Sequence, residues 1–232
     1  MRIVCNLLLL AMSVAATLNA EVISRQRVTF TTPDTAHIVG DLYGESDRCV
    51  VLAHGAQFNK QSWEPQARQI AAAGFCVLAI DFRGYGDSHG PGEDQSFKTQ
   101  LYQDVLGAVR YLQKQRGKKS VSVIGADMGG AAAARASMES NEGEIDRLIL
   151  LAADIDPEVQ EHLKGRKLFV VARNDMRGDS FALLEEVRAQ YHRAPLPKQL
   201  LVVEGSAHAQ FLFDTDQADR LMQEILKFLS TP

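Results

Sequence analysis

One carboxylate stands in a turn shaped to expose it. The segment Val121-Ser-Val-Ile-Gly-Ala-Asp-Met-Gly-Gly130 reads as an apolar strand, a tight turn and the start of a helix rich in small residues. In Gly125-x-Asp127-x-Gly129 the glycines keep both flanks small, so that a helix can pack back on its strand while Asp127 stands clear at the elbow. An Asp carboxylate, with a reference pKa of about 3.9, is ionised at neutral pH without help from a base. It suits a saturated electrophilic carbon, such as an epoxide or an activated alkyl group, because displacement there gives an alkyl ester that water can hydrolyse. It suits an ester carbonyl poorly, since attack there would create an anhydride. Gly-x-Asp-x-Gly alone is a weak motif. Its weight comes from the apolar strand before it and Ala131–Ala134 after it.

The elements that must hold this turn alternate along the chain. Strands are expected at Arg27–Thr31, His37–Tyr43, Val50–His54, Val77–Asp81, Val121–Gly125, Leu148–Ala152, Leu168–Ala172 and Gln199–Val203. Several are continuous runs of β-branched residues and Leu, as in strands covered on both faces. Helical patterns lie between them at Trp63–Ala73, Phe97–Arg116, Met128–Glu139, Phe181–Tyr191 and Asp216–Leu229. Such alternation predicts a three-layer α/β fold, a mostly parallel eight-stranded sheet with helices on both faces. The short link at Pro33–Asp34 predicts an antiparallel hairpin at one edge. In such a sheet the chemistry gathers beyond the carboxyl ends of the strands.

Four segments in order carry a family resemblance. They are His54-Gly55-Ala56, Asp81-Phe-Arg-Gly-Tyr-Gly-Asp-Ser88, the elbow, and an acid and a histidine at Asp175 and Gly205-Ser-Ala-His208. From about Val28 to Leu229 the chain resembles an α/β hydrolase. The resemblance implies Asp127 as nucleophile, His208 as base and Asp175 as the residue orienting the imidazole. It also implies an oxyanion hole built from the backbone amides of Ala56 and Met128. Asp179 is a rival for the acid, but its place at the start of the next helix reads as an N-cap. An Asp elbow is similar to that of epoxide hydrolases and haloalkane dehalogenases, whereas the body is similar to small serine hydrolases with Gly-x-Ser-Met-Gly-Gly. Only about twenty residues separate Ala153 from Asp175, room for one short helix around Pro157–Leu163 and not for a lid domain. The usual halide donors are missing, since Met128 and Ala56 stand where Trp and Asn are expected.

Three functions stay open at this level. One is a hydrolase with an Asp-His-Asp triad that forms a covalent ester with a small ester, epoxide or activated alkyl substrate. Another is a catalytically degenerate esterase relative serving as a binding protein. The third has Asp127 acting as a base on a bound ester or lactone.

Composition narrows the partners. The 232 residues carry a net charge of −4, which gives no basic footprint for nucleic acid. His37, His162 and His192 show no ligand spacing, so neither a metal nor a cofactor is expected and the partner is a small-molecule substrate. Residues 1–20 have Arg2, an apolar stretch from Ile3 to Ala16 and small residues up to Ala20, the pattern of a signal peptide ahead of one domain over residues 21–232. Leu18 is an imperfect cleavage residue, so an uncleaved membrane anchor is the alternative to export to the periplasm or medium. Export leaves Cys49 and Cys76, each five positions before a strand-end residue, His54 and Asp81. In-register parallel strands would bring them within disulfide range, but strict disulfide geometry makes two separately buried thiols the expectation. His54 is read as structural, Trp63 as packing and Phe211–Phe213 as packing beneath the site. Gly84 and Gly86 are read as turn formers, and Arg110–Lys119 as a basic helix end.

Overall fold

The computed structural model describes residues 23–94, 97–177 and 181–231. Eight strands form the central sheet: β1 (Arg25–Thr31), β2 (His37–Tyr43), β3 (Arg48–Ala53), β4 (Cys76–Ile80), β5 (Ser120–Ala126), β6 (Arg147–Leu151), β7 (Arg166–Ala172) and β10 (Lys198–Val203). Their order is β1-β2-β4-β3-β5-β6-β7-β10. β1 and β2 form the antiparallel edge hairpin, β2 meets β4 antiparallel, and all later pairings are parallel. A two-stranded ribbon, β8 (Met176–Arg177) with β9 (Phe181–Ala182), closes the loop after β7. The helices are α1 (Glu64–Ala72), α2 (Leu101–Arg110), α3 (Met128–Glu139), α4 (Pro157–Gln160), α5 (Leu183–Arg193) and α6 (Ala218–Ser230).

The apolar runs explain the layering. Alternate side chains of a strand point to opposite faces, yet every residue of β4 and all but the first of β3, β5, β6 and β7 are buried. The sheet is therefore covered on both sides. Its core runs through Val50–Ala53, Val77–Ile80, Val123–Ile124, Leu148–Leu151 and Phe169–Ala172. Edge strand β10 retains polar and half-buried positions. Trp63 is buried, in a 3₁₀ turn that leads into α1.

Two boundaries differ from expectation. The pattern read as helix from Phe181 starts only at Leu183, because Phe181–Ala182 pair with Met176–Arg177 and the Leu183 amide donates to the Asp175 carbonyl at 2.9 Å. The stretch read as one helix from Phe97 is divided into a 3₁₀ turn, α2 and a π-helical turn at Tyr111–Gln115. Between the ends of β6 and β7 the one helix is α4.

The cysteines also depart from the favoured reading. β3 and β4 are parallel with Cys49 opposite Cys76, and the two form a disulfide across a Cα–Cα distance of 4.4 Å. In-register pairing on one face supplied the geometry that strand assignment alone did not guarantee. The signal-peptide segment, residues 1–20, and Asp179 lie outside the described residues.

Candidate active site

The elbow is built as its glycines require. Asp127 has φ 50° and ψ −119°, a conformation costly for a side chain with a Cβ and held only by its surroundings. Its amide donates to the Leu151 carbonyl at 2.9 Å, and its carbonyl accepts from Gly130 at 2.9 Å. A Cβ on Gly125 would collide with the backbone of Gly129 and Gly130, and one on Gly129 would strike the Ala53 and His54 carbonyls. Ala152, at φ 49°, and Ala209, at φ 50°, share the strained region. These three sit by the site, one of them directly after His208; a fourth such residue, Thr35 at φ 73°, belongs to the β1–β2 turn.

The structure brings Asp127, Asp175 and His208 together from three separate loops. His208 Nδ1 lies 3.0 and 3.1 Å from the two oxygens of Asp175, which is almost fully buried. His208 Nε2 lies 3.6 Å from Asp127 Oδ1. The other Asp127 oxygen, Oδ2, accepts from the Ala56 amide at 3.2 Å, and the Met128 amide also bonds to the carboxylate. The Ala56 amide expected to serve an oxyanion hole thus holds one oxygen of Asp127 itself, and the Met128 amide also acts on that carboxylate.

Electrostatics follow from this placement. The Asp127 and then the Asp175 carboxylate beside the ring outweigh burial and raise the His208 pKa to about 9. Burial opposes the charge on Asp127, but bonds from His208, Ala56 and Met128 prevail and lower its pKa below the usual carboxylate value.

A supporting layer fixes the loop that follows β3. His54 is fully buried; its Nδ1 lies 2.9 Å from the Gly55 carbonyl and its Nε2 accepts from the Phe82 amide at 3.3 Å. That makes it a structural residue with an assignable tautomer, Nδ1 carrying the proton. Tyr85 donates its hydroxyl to the Ala56 carbonyl at 3.0 Å. Gly84 and Gly86 have φ of 79° and 55° and form the turn that carries Tyr85.

Sequence reading missed several participants. Gln210 is buried, accepts from the Gly55 amide at 2.8 Å and donates to Ser62 Oγ at 2.8 Å, so it ties the His208 loop to the Ala56 loop. Nothing in its sequence neighbourhood signals this. Lys60 and Asp81 form a buried ion pair at 2.5 Å. Arg135 lines the cavity at the site; its position seven residues after Met128, on the same helix face, was a readable signal. Of the three aromatic-region residues after the histidine, Leu212 is buried, whereas Phe211 is exposed and packs on Phe58 with ring centroids 5.0 Å apart. The basic stretch carries ion pairs: Arg110 with Glu144, Lys118 with Glu45 and Lys119 with Asp47. Among the described residues no group of three His, Cys, Asp or Glu side chains could hold a metal ion.

Similarity to known proteins agrees with the architecture. Residues 44–176 match the Hydrolase_4 family, described as serine aminopeptidase, S33. The AB hydrolase superfamily protein YisY of Bacillus subtilis is 32% identical over 106 residues, 46% of this chain and 38% of that one. Bifunctional epoxide hydrolase 2 of Rattus norvegicus is 38% identical over 85 residues, 37% of this chain and 15% of that one. The chain thus spans well under two thirds of these relatives. Among solved structures, the Pyrococcus furiosus esterase Pf2001 superposes with a TM-score of 0.74 at 21% identity, covering 89% of this chain and 92% of that one. The eight-stranded sheet and the family match over more than half the sequence identify the chain as a member of the Hydrolase_4 family, within the α/β-hydrolase superfamily.

Proposed function

We propose that the protein hydrolyses a small molecule through a covalent ester on Asp127, with an epoxide or a similarly activated alkyl carbon as the electrophile. The observation that carries this reading is the division of labour between the Asp127 oxygens: Oδ2 rests on the Ala56 amide, and Oδ1 faces His208 Nε2 and the cavity. Oδ1 attacks the saturated carbon, a new C–O bond forms, and the epoxide C–O bond breaks to an alkoxide that takes a proton from solvent, while the proton later lost by His208 returns to solvent. Esterification removes one of the two carboxylates that hold the proton on His208, so its pKa falls and the neutral ring becomes a base. His208 then takes a proton from water, and hydroxide adds to Asp127 Cγ. Oδ2 becomes the oxyanion, already seated on the Ala56 amide, with the Met128 amide as the second donor. Collapse releases the alcohol and restores the carboxylate, while Asp175 holds the imidazole in place.

An ester carbonyl is a poorer fit. The seat its oxygen would need is taken by Asp127 Oδ2, and attack would produce an anhydride. The partial likeness to epoxide hydrolases in sequence supports the same choice.

We place the protein in an oxidising compartment after removal of residues 1–20, with residues 21–232 as one domain. The Cys49–Cys76 disulfide supports this.

The experiment uses His208→Ala and Asp127→Ser with an epoxide, an alkyl bromide and a short aryl ester. The expected result is that His208→Ala accumulates an alkyl adduct at Asp127, read by intact mass, and that the unaltered protein turns over the alkyl substrate. Esterase activity absent in the natural chain and gained in Asp127→Ser, with no adduct in any arm, would instead favour the degenerate binding protein.

A further inference from the structure

The cavity that holds Asp127 and His208 has a second, differently charged end. Its volume is about 480 Å³. Met128, Ala131, Ala132 and Arg135 line it from α3, at the i, i+3, i+4, i+7 spacing of one helix face. Seven residues at 1.5 Å rise put Arg135 roughly 10 Å along the helix from the elbow. The two alanines leave an open apolar run between the ends, and Val159 and Leu183 add further apolar wall.

Arg135 is under-committed. Its Nη1 donates to Glu158 Oε1 at 2.8 Å and lies 3.9 Å from Asp156 Oδ2, too far for a hydrogen bond. Its Nε is shielded from solvent and has no partner among the described residues. The guanidinium stands over the Tyr102 ring, 5.8 Å from its centroid. Asp156 also lines the cavity. Arg135 and Asp156 therefore line the same end of the cavity without a hydrogen bond between them.

Charge decides what fits there. Asp156 and Glu158 both flank the one Arg135 guanidinium, so a carboxylate entering this end meets a net negative field. An ammonium would have to displace Arg135 from Glu158. A neutral group that accepts from the guanidinium and donates to Asp156 meets neither obstacle. We infer that Arg135 and Asp156 form a head-group subsite for an uncharged hydrogen-bonding group, a carboxamide, at the far end of an elongated apolar substrate whose electrophilic carbon lies at Asp127. The spacing corresponds to about six to eight bonds between the two. The inference rests on the proposed function for its catalytic consequence, but not for binding.

The test separates the two. Calorimetry on the oxidised full protein compares octanamide, octanoate and octylammonium, which carry no electrophile. The expected result is octanamide binding at least about tenfold tighter than either ion, with Arg135→Met and Asp156→Ala each shrinking that preference below about threefold and leaving the melting temperature unchanged. Equal binding of the three, no binding of octanamide, tighter binding of octylammonium, or a preference that survives Arg135→Met overturns the inference. In a second arm, His208→Ala is alkylated by 7,8-epoxyoctanamide and by 1,2-epoxyoctane. The amide should react about tenfold faster, and Arg135→Met should cancel the advantage. Absence of any alkylation with amide binding intact defeats the reading of Asp127 and leaves the subsite standing. Equal alkylation by both, with no amide preference in binding, defeats the subsite alone.

Discussion

Two clusters of opposite charges lie at the carboxyl edge of the same sheet, and they are finished to different degrees. Around Arg83 every donor has an acceptor. Nε and Nη2 reach Asp104 at 2.9 and 2.6 Å, Nη1 reaches Asp34 at 2.6 Å and the Pro91 carbonyl at 2.8 Å, and Nη2 reaches Asp34 at 2.9 Å. Arg83 and Asp104 are fully buried. Burial opposes the guanidinium charge, but the bonds to Asp34 and Asp104 outweigh it and raise the pKa above its already high value. Around His208 the ingredients are similar and the closure is partial. Asp175 is buried against His208 Nδ1, whereas the ring and Asp127 are 40% and 39% exposed and stand 3.6 Å apart. A saturated cluster fixes a turn; an open one keeps a proton and a lone pair available.

The contrast predicts opposite phenotypes. Arg83→Met leaves Asp104 buried without its partner and should cost about 3–5 kcal/mol of unfolding free energy in a denaturant titration. Asp127→Asn should change stability by no more than about 1 kcal/mol, because the site is half open, yet abolish turnover. Arg83→Met matching wild-type stability would erase the distinction between the clusters.

Replacing both Cys49 and Cys76 with Ala removes a cross-link over a sequence separation of 27 and should lower stability by about 2–4 kcal/mol. Comparing melting temperatures with and without reductant checks this, and the site itself should respond little.

The smallest effect concerns pH. The folded-state pKa of His208 is raised from 6.5 to about 9. Its contribution is therefore complete below pH of about 6.5 and fades as pH rises through about 9. Because the ring is 40% exposed, solvent screening holds the effect to about 1 kcal/mol. The lowered Asp127 pKa is the same contact seen from its partner and adds nothing separate. Denaturant midpoints measured from pH 6 to 10 should decline in wild type and flatten in His208→Ala.

Local pattern carried much of the architecture. Continuous apolar runs and a small-residue elbow determine the strands, the helix after β5 and the position of Asp127, and loop order led to Asp175 and His208. What escaped was what only packing decides. Gln210 bridges two loops 155 residues apart in sequence from Gly55, and no periodicity encodes such a pairing. The disulfide depended on register between β3 and β4, and the ribbon at Phe181–Ala182 on a partner strand four residues upstream of an otherwise helical pattern. Arg135 is an intermediate case, since its helix face is readable from the spacing to Met128 but the cavity that face borders is not.

The central claim is that Asp127 itself becomes bonded to substrate and is freed by water attacking its carboxyl carbon. A single turnover with enzyme in excess over an epoxide, run in water enriched in oxygen-18, tests it directly. The account predicts heavy oxygen in the carboxylate of the Asp127 peptide and ordinary oxygen newly introduced into the diol. Heavy oxygen in the diol, with the Asp127 peptide unlabelled, would mean that water attacks the substrate directly and would contradict it.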